Sequence, residues 1–340
     1  MSDTIKYGVI GAGVMGQEHI QNINIIENAE IVSVYDTNET SRNQAKSLVK
    51  ESVKFYNDLN ELIDKNIADA YIIATPNFTH INILEQILKT NKHLLIEKPL
   101  SANLEGVKNL KKIIEENNLT TMIAYVFRLT PSIKFVKEKI EKNEIGKILY
   151  LRGEFSEYLP DWHPYEDYRT FYMARKDQGG GSILDQCHIM DLAHYLVGEF
   201  NSVSAINLKI SNLEVKADDI SEMIIKHKNG VVSSIHTDIF GRSHKKYLEI
   251  KGEKGNIFWD FYKNEVHISK EKNKKPEVFN KFEKDFNMSY IEELKHFIEC
   301  FKNEKQTKIP LEEGIETMRL ILAAEESQIS KKEENLKKLK

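Results

Sequence analysis

Cysteine is scarce in this chain of 340 residues: Cys187 and Cys300 are its two, and they lie far apart. Two thiols make no disulfide framework, which points to a reducing, cytoplasmic setting. Long apolar runs are missing too, and no stretch approaches the roughly 20 residues needed to cross a bilayer. The opening "MSDTIKYGVIG" lacks the basic and then apolar regions of a secretion signal. Charge is not one-sided either, with a net value of −4. That balance gives no electrostatic reason to expect nucleic acid or an anionic membrane as partner. No H-x-x-x-H or C-x-x-C spacing supports a metal at His163, His188 or His236.

What the chain does have is size and pattern. With 41% hydrophobic and 29% charged residues, it can build two cores under a solvated surface. Residues 5–11 (IKYGVIG), 29–36 (AEIVSVYD), 69–76 (DAYIIATP), 93–99 (HLLIEKP) and 120–127 (TTMIAYVF) read as short apolar strands. Helical spacing separates them, at Ile20, Ile23 and Ile26, at Ile83, Leu84, Ile87 and Leu88, and over 104–116. Strand and helix in alternation imply a parallel sheet with helices on both faces.

Into the first strand–helix junction falls "GAGVMG", and Asp36 ends the next strand. Gly11 permits a tight turn, Gly13 lets backbone approach a pyrophosphate, and Gly16 lets helix and strand pack closely. With Val14 and Met15 at the helix N-terminus, they form a candidate dinucleotide site. Asp36 suits a ribose diol and repels a 2′-phosphate, which favours NAD, although Arg42 on the next helix leaves NADP open. Strand-end loops of such a sheet line the ligand crevice. Thr75, Asn77 and His80 lie on one of them, where Thr75 and Asn77 either flank the cofactor or cap the next helix. Glu97 and Lys98 lie on another, which aims Lys98 at the nicotinamide region.

The pattern changes after residue 145. Residues 146–158 alternate like a strand with one wet face, and further alternating runs follow. Asn229-Gly230, Gly255-Asn256 and Lys263-Asn264 are turn candidates, so the second half reads as an α+β domain with an antiparallel meander. Two helices, near 287–303 and 311–329, finish the chain. Between strand and helix, residues 158–181 are rich in aromatics and arginine. They read as a surface loop or as a substrate lid, with Arg128, Tyr158, His163 and Arg169 as substrate candidates. Arg169 suits bidentate grip on a phosphate or carboxylate. His188 is either a core histidine or an acid/base group at a helix start.

Several pieces together resemble the Gfo/Idh/MocA oxidoreductases, the glucose–fructose oxidoreductase and inositol dehydrogenase family. They are "GVIGAGVMG", "IIATPNFTH", "LLIEKPLS", "YVFRLTPS" and "GGGSILDQCHIMDLAHYLVG", in the family's order. The resemblance implies a Rossmann domain over 1–125 and, over 126–340, a domain for substrate and oligomerisation with a large open, mostly antiparallel sheet. It also implies NAD(P)-linked chemistry on a sugar, sugar nucleotide or cyclitol, with Lys98, Asp185 and His188 as site residues. One departure concerns spacing: many members place the histidine four residues after the aspartate, and "DQCH" places it three after. The shorter spacing is similar to that of a branch associated with sugar-nucleotide and surface-polysaccharide pathways.

The expected reaction is hydride transfer at a secondary alcohol. His188 is its acid/base, Lys98 stabilises alkoxide charge, and Asp185 supports His188. Two alternatives stand beside it: a redox-neutral enzyme with tightly held NAD, and a non-catalytic NAD-binding regulator. Apolar residues on both faces of "INLKI", "MIIKH" and "SIHTDIF" point to a homodimer or homotetramer.

Overall fold

A computed structural model of the protein describes residues 4–162, 167–271 and 274–337. They form two compact units. One is built from the chain up to Val126 and from Asn287–Ile315, the other from Phe127–Phe286 and from Glu316 onward. The chain thus does not change unit once, at 125/126, but returns to the first unit at residue 287.

The first unit holds β1 (Ile5–Ile10), β2 (Ala29–Tyr35), β3 (Lys54–Tyr56), β4 (Ala70–Ile73), β5 (His93–Ile96) and β6 (Thr121–Ile123). Their order is β3-β2-β1-β4-β5-β6, all parallel. The helices α1 (Val14–Asn24), α2 (Glu39–Lys46), α3 (Leu59–Lys65), α4 (His80–Ile87) and α5 (Val107–Glu116) supply the crossovers. Every residue of β4 and β6 is buried, as a parallel sheet covered on both faces requires. β3 has three residues and lies at the sheet edge, too short to show a period in the sequence. The central strand ends are level. Ile10 pairs with Ile73 and Ile73 with Ile96, while Ala74 N–H donates to Ile10 O and Glu97 N–H to Ile73 O. The residues that follow these ends therefore emerge on one edge.

The second unit contains α6 (Pro131–Glu141), β7 (Ile148–Tyr158), α7 (Ser182–Asp185) and α8 (His188–Val197). After them come β8 (Phe200–Leu208), β9 (Ile220–His227), β10 (Val232–Asp238), β11 (Phe240–Gly252), β12 (Asn256–Asp260), β13 (Glu265–Ser269), β14 (Glu277–Phe279) and β15 (Glu334–Asn335). Their sheet runs β14-β13-β12-β11-β7-β10-β9-β8-β15, antiparallel except where β7 meets β10. All three turn candidates join antiparallel neighbours. Along β9, Ser221, Met223, Ile225 and His227 are buried while Glu222, Ile224 and Lys226 are exposed. One face thus carries the core, and α8 packs on it, its Ile189 against Gly153 of β7.

The two last helices are α9 (Asn287–Lys302) and α10 (Leu311–Ser330). In the first unit α9 meets α1 through a reciprocal amide pair, with Asn22 and Asn287 each donating to the other over 2.8 Å. The following segment joins the edge of β6: Ile123 N–H donates to Ile309 O, and the Thr307 hydroxyl to Thr121 O. These bonds bring the segment back to the first unit. Glu293 of α9 is fully buried, and neither carboxyl oxygen has a hydrogen-bond partner among the described residues. Burial, with Glu97 adding to it, pushes this acid well above the ordinary carboxyl range.

An acid whose folded-state pKa is raised carries no penalty below its unfolded value, and stability falls as pH rises above that value. Glu293→Gln cannot ionise in either state. The variant is expected to unfold at a higher urea concentration than wild type at pH 7, with the gap closing towards pH about 4.

Candidate cofactor and catalytic site

In the first unit the glycine turn is shaped by contacts that a side chain would break. Gly11 sits at φ +98°, and a Cβ there would lie 2.5 Å from Ala74 O. A Cβ on Gly16 would lie 1.9 Å from Gly11 O, while one on Gly13 would meet nothing within 4 Å. The turn is therefore closed on its protein side and open at Gly13. No side chain caps α1, so the N–H groups at its start, around Val14 and Met15, are left to an incoming anion. These residues fit a dinucleotide pyrophosphate. Asp36 adds to the cradle, because its Oδ2 accepts from Ala12 N–H over 2.7 Å and its Oδ1 from Asn38 N–H over 2.7 Å. Arg42 donates to the main-chain O of Asp36 over 2.7 Å.

The neighbouring loops emerge on the same edge. The Thr75 hydroxyl bonds that of Thr79 over 2.7 Å, and Asn77 is buried. His80 is fully buried, with Nε2 2.8 Å from Thr75 O and Nδ1 3.1 Å from Leu100 O. Burial holds this imidazole below histidine's ordinary pKa. His80 thus positions two strand-end loops rather than facing a ligand. Glu97 is buried as well. Its Oε1 lies 2.8 Å from Nε2 of the fully buried His19 on α1, and its Oε2 accepts Lys98 N–H over 3.2 Å. Lys98 itself is half-buried at the strand end. His19 escaped the sequence reading because a histidine on an apolar helix face looks like any core position.

In the second unit the glycine run serves close approach. Gly181 sits at φ +121°, and a Cβ there would lie 2.2 Å from Asp218 Oδ1. Asp218 accepts from the Ser182 hydroxyl over 2.8 Å and from Ile183 N–H over 3.0 Å, which fixes the start of α7. Asp185 closes α7 and His188 opens α8, so the short spacing places them on two successive helices. The Tyr172 hydroxyl donates to Asp185 Oδ1 over 2.7 Å, a partner the sequence reading missed. Phe127 stands edge to face with the His188 ring at 4.7 Å. Among the described residues, no group of three or more His, Cys, Asp and Glu is placed to hold a metal.

The substrate candidates divide. Arg128 is buried and forked onto the fully buried Asp191, with Nε donating over 2.9 Å and Nη2 over 2.6 Å. It lies over the Tyr195 ring as well, so it pins the fold. Arg169 is exposed and grips Asp167 through Nε and Nη2, with Glu214 3.3 Å from Nη1. The bidentate grip foreseen for a phosphate is taken by carboxylates of its own chain. Tyr158 ends β7 beneath the Arg242 guanidinium, 3.7 Å from the ring centre. His163 lies outside the described residues. Of the described aromatics in 158–181, Trp162, Tyr168, Phe171 and Tyr172 pack on a small core of Leu159, Met173, Ala174, Val215 and Ile239.

Two tests follow from these placements. Arg128→Met leaves Asp191 buried without its cation and is expected to lower stability by about 3–5 kcal/mol, read from urea unfolding. An unmoved midpoint would return Arg128 to the substrate candidates. Asp36→Ser removes the diol acceptor and the charge that repels a 2′-phosphate. NADH binding is expected to weaken by about 1–3 kcal/mol and the NADP preference to rise, in fluorescence titrations with both cofactors.

Comparison with known proteins agrees with this geometry. Residues 5–125 match the Gfo/Idh/MocA oxidoreductase family, NAD-binding Rossmann fold, and residues 137–336 match that family's C-terminal alpha/beta domain. Myo-inositol 2-dehydrogenase of Thermotoga maritima is 27% identical over 333 residues, covering 95% of this chain and 96% of that protein. The 2,7-anhydro-N-acetylneuraminate hydratase of Escherichia coli is 26% identical over 257 residues, covering 74% of this chain and 67% of that protein. Among solved structures, levoglucosan dehydrogenase in complex with NADH and levoglucosan superposes with a TM-score of 0.88 at 22% identity, covering 98% of this chain and 100% of that one. The chain therefore belongs to the Gfo/Idh/MocA oxidoreductases, with an NAD-binding Rossmann domain and the family's C-terminal α/β domain.

Proposed function

We propose that the protein transfers hydride between NAD and a secondary alcohol or ketone of a sugar, sugar nucleotide or cyclitol. One observation carries the reading: the level strand ends set Lys98 on the same edge as the open turn at Gly13. The names of the inositol and levoglucosan dehydrogenases support the substrate class. When bound, NAD would supply the hydride acceptor for oxidation and NADH the hydride donor for reduction. Gly13, Val14 and Met15 would hold its pyrophosphate on the turn that Gly11 and Gly16 allow to close, and Asp36 would accept from the ribose diol. Thr75 and Asn77 would flank it on the loop that His80 holds, and Glu97 fixes the loop of Lys98.

In oxidation His188 takes the proton of the reacting hydroxyl as the carbon gives up hydride, and in reduction it returns that proton. Lys98 donates to the reacting oxygen and stabilises its developing charge. Asp185, its carboxylate held by Tyr172, orients His188. A second reading, a redox-neutral reaction on tightly held NAD, is supported by the relative named as a hydratase. Slow exchange of bound NAD and no net NADH formation would favour it.

Cys187 and Cys300 are buried and form no disulfide, which supports a cytoplasmic setting. Among the described residues no helix is long and apolar enough to cross a membrane. A homodimer or homotetramer is the assembly we propose. Its support is the wet sheet face, where Ile206, Leu208 and Ile224 are 53%, 39% and 50% exposed. Light scattering at micromolar concentration is expected to give at least twice the 39.4 kDa chain mass.

Lys98→Met is expected to lower kcat by about 100–1,000-fold, and His188→Asn by about 100–10,000-fold. Both variants should bind NADH nearly as wild type does, by fluorescence titration. The acid limb of kcat/KM for oxidation should vanish in His188→Asn. Near-normal turnover in either folded variant would remove that residue from the mechanism.

A further inference from the structure

The mechanism leaves one charged pair of the second unit without a task. Lys246 of β11 pairs in register with Phe155 of β7, so its side chain shares the sheet face on which α8 packs. Its ammonium lies 4.4 Å from the ring centre of Phe155, 5.0 Å from Phe261, 5.5 Å from Tyr262 and 5.9 Å from Phe127. Glu157, two residues beyond Phe155 on β7, places Oε1 2.8 Å from that ammonium. The Tyr262 hydroxyl donates to the same oxygen. The side chains of Lys246 and Glu157 are 15% and 12% exposed.

A charge pair this far from water adds little stability, because desolvation offsets its attraction, and apolar residues would pack among the rings as well. The ring faces attract the ammonium through their negative electrostatic potential. Glu157 is committed on one side alone: Oε1 takes both bonds, and Oε2 has no hydrogen-bond partner among the described residues. A carboxylate oxygen is thus presented beside an ammonium. Phe127 links the pair to the acid/base group, since its ring lies 4.7 Å from His188 and 5.9 Å from the Lys246 nitrogen.

We propose that Glu157 and Lys246 bind the substrate ring by reading two adjacent hydroxyls, and that the ring is uncharged at that end. This rests on the dehydrogenase reading above. One hydroxyl donates to Glu157 Oε2 and its neighbour accepts from the Lys246 ammonium. The charges of the pair cancel, so a phosphate or carboxylate arriving there gains no net attraction and meets the Glu157 carboxylate directly. A diol satisfies both partners, and the C–H face of its ring packs on aromatic surface.

The test is NADH formation from NAD with D-glucose, myo-inositol, D-glucuronate and glucose 6-phosphate. Neutral rings are expected to give the higher kcat/KM. Glu157→Gln should raise KM for the best neutral ring by about 10–100-fold, as loss of a hydrogen bond to a charged group does, with kcat and NADH affinity moving far less. The same variant should narrow the preference for glucose over glucuronate at least tenfold, a shift that a purely structural role would not produce. Tyr262→Phe, altered at a partly exposed residue, keeps the test open if Glu157→Gln does not fold, and should raise KM several-fold. Turnover confined to the anionic compounds, no turnover of a neutral ring, or an unmoved KM in the folded variants would overturn the proposal. An unmoved KM with Lys98→Met inactive would overturn this proposal and leave the dehydrogenase reading standing. Active Lys98→Met would strike that reading instead.

Discussion

Glu97 is buried against His19, and the working edge of the first unit depends on that contact. A carboxylate out of water needs partners, and Glu97 finds one in a helix and one in its own loop. His19 belongs to α1, whose first turn forms the dinucleotide cradle, while Lys98 is the residue that follows Glu97. The contact therefore ties the loop that carries the lysine to the helix that meets the phosphates. α9 closes over the same place: the Tyr290 ring stands edge to face with His19, and Glu97 helps push both Tyr290 and Glu293 up in pKa.

The second unit uses the same device with other residues. Asp191 holds Arg128, and Asp218 holds the first turn of α7 through Ser182 and Ile183. Asp218 thus fixes the start of the helix that ends at Asp185, and Asp191 ties the helix that opens at His188 to Arg128. Two of the groups proposed to act on substrate are less fully enclosed. Lys98 is half-buried, and the Glu157–Lys246 pair keeps a small opening to water. Arg128, buried and forked onto the fully buried Asp191, is an anchor of this kind.

The sequence reading succeeded where the signal is local. A glycine turn between a strand and a helix depends on neighbours within a few residues, and the parallel strands show themselves as short apolar runs. The antiparallel turns were visible for the same reason. It could not see a partner that lies far along the chain. Arg128 looked available for a substrate, and its partner Asp191 is 63 residues away. Arg169 looked suited to a phosphate, and Glu214, 45 residues on, shares it with Asp167. The aromatics of 158–181 suggested substrate walls, yet most of those described pack on a small core that includes Val215 and Ile239.

The sequence by itself determined the order of elements, the dinucleotide turn, the strand-end lysine and the histidine at a helix start. All four follow from spacing, backbone freedom and hydrophobic period, which short segments specify. Tertiary structure alone decided which charges are anchors and which are presented, and to which unit residues 287–315 return. It also put Lys246 among four rings beside Glu157, 89 residues away in sequence. Desolvation is the reason. A charge's task depends on what surrounds it, and those surroundings come from strands and helices that the chain brings together only on folding.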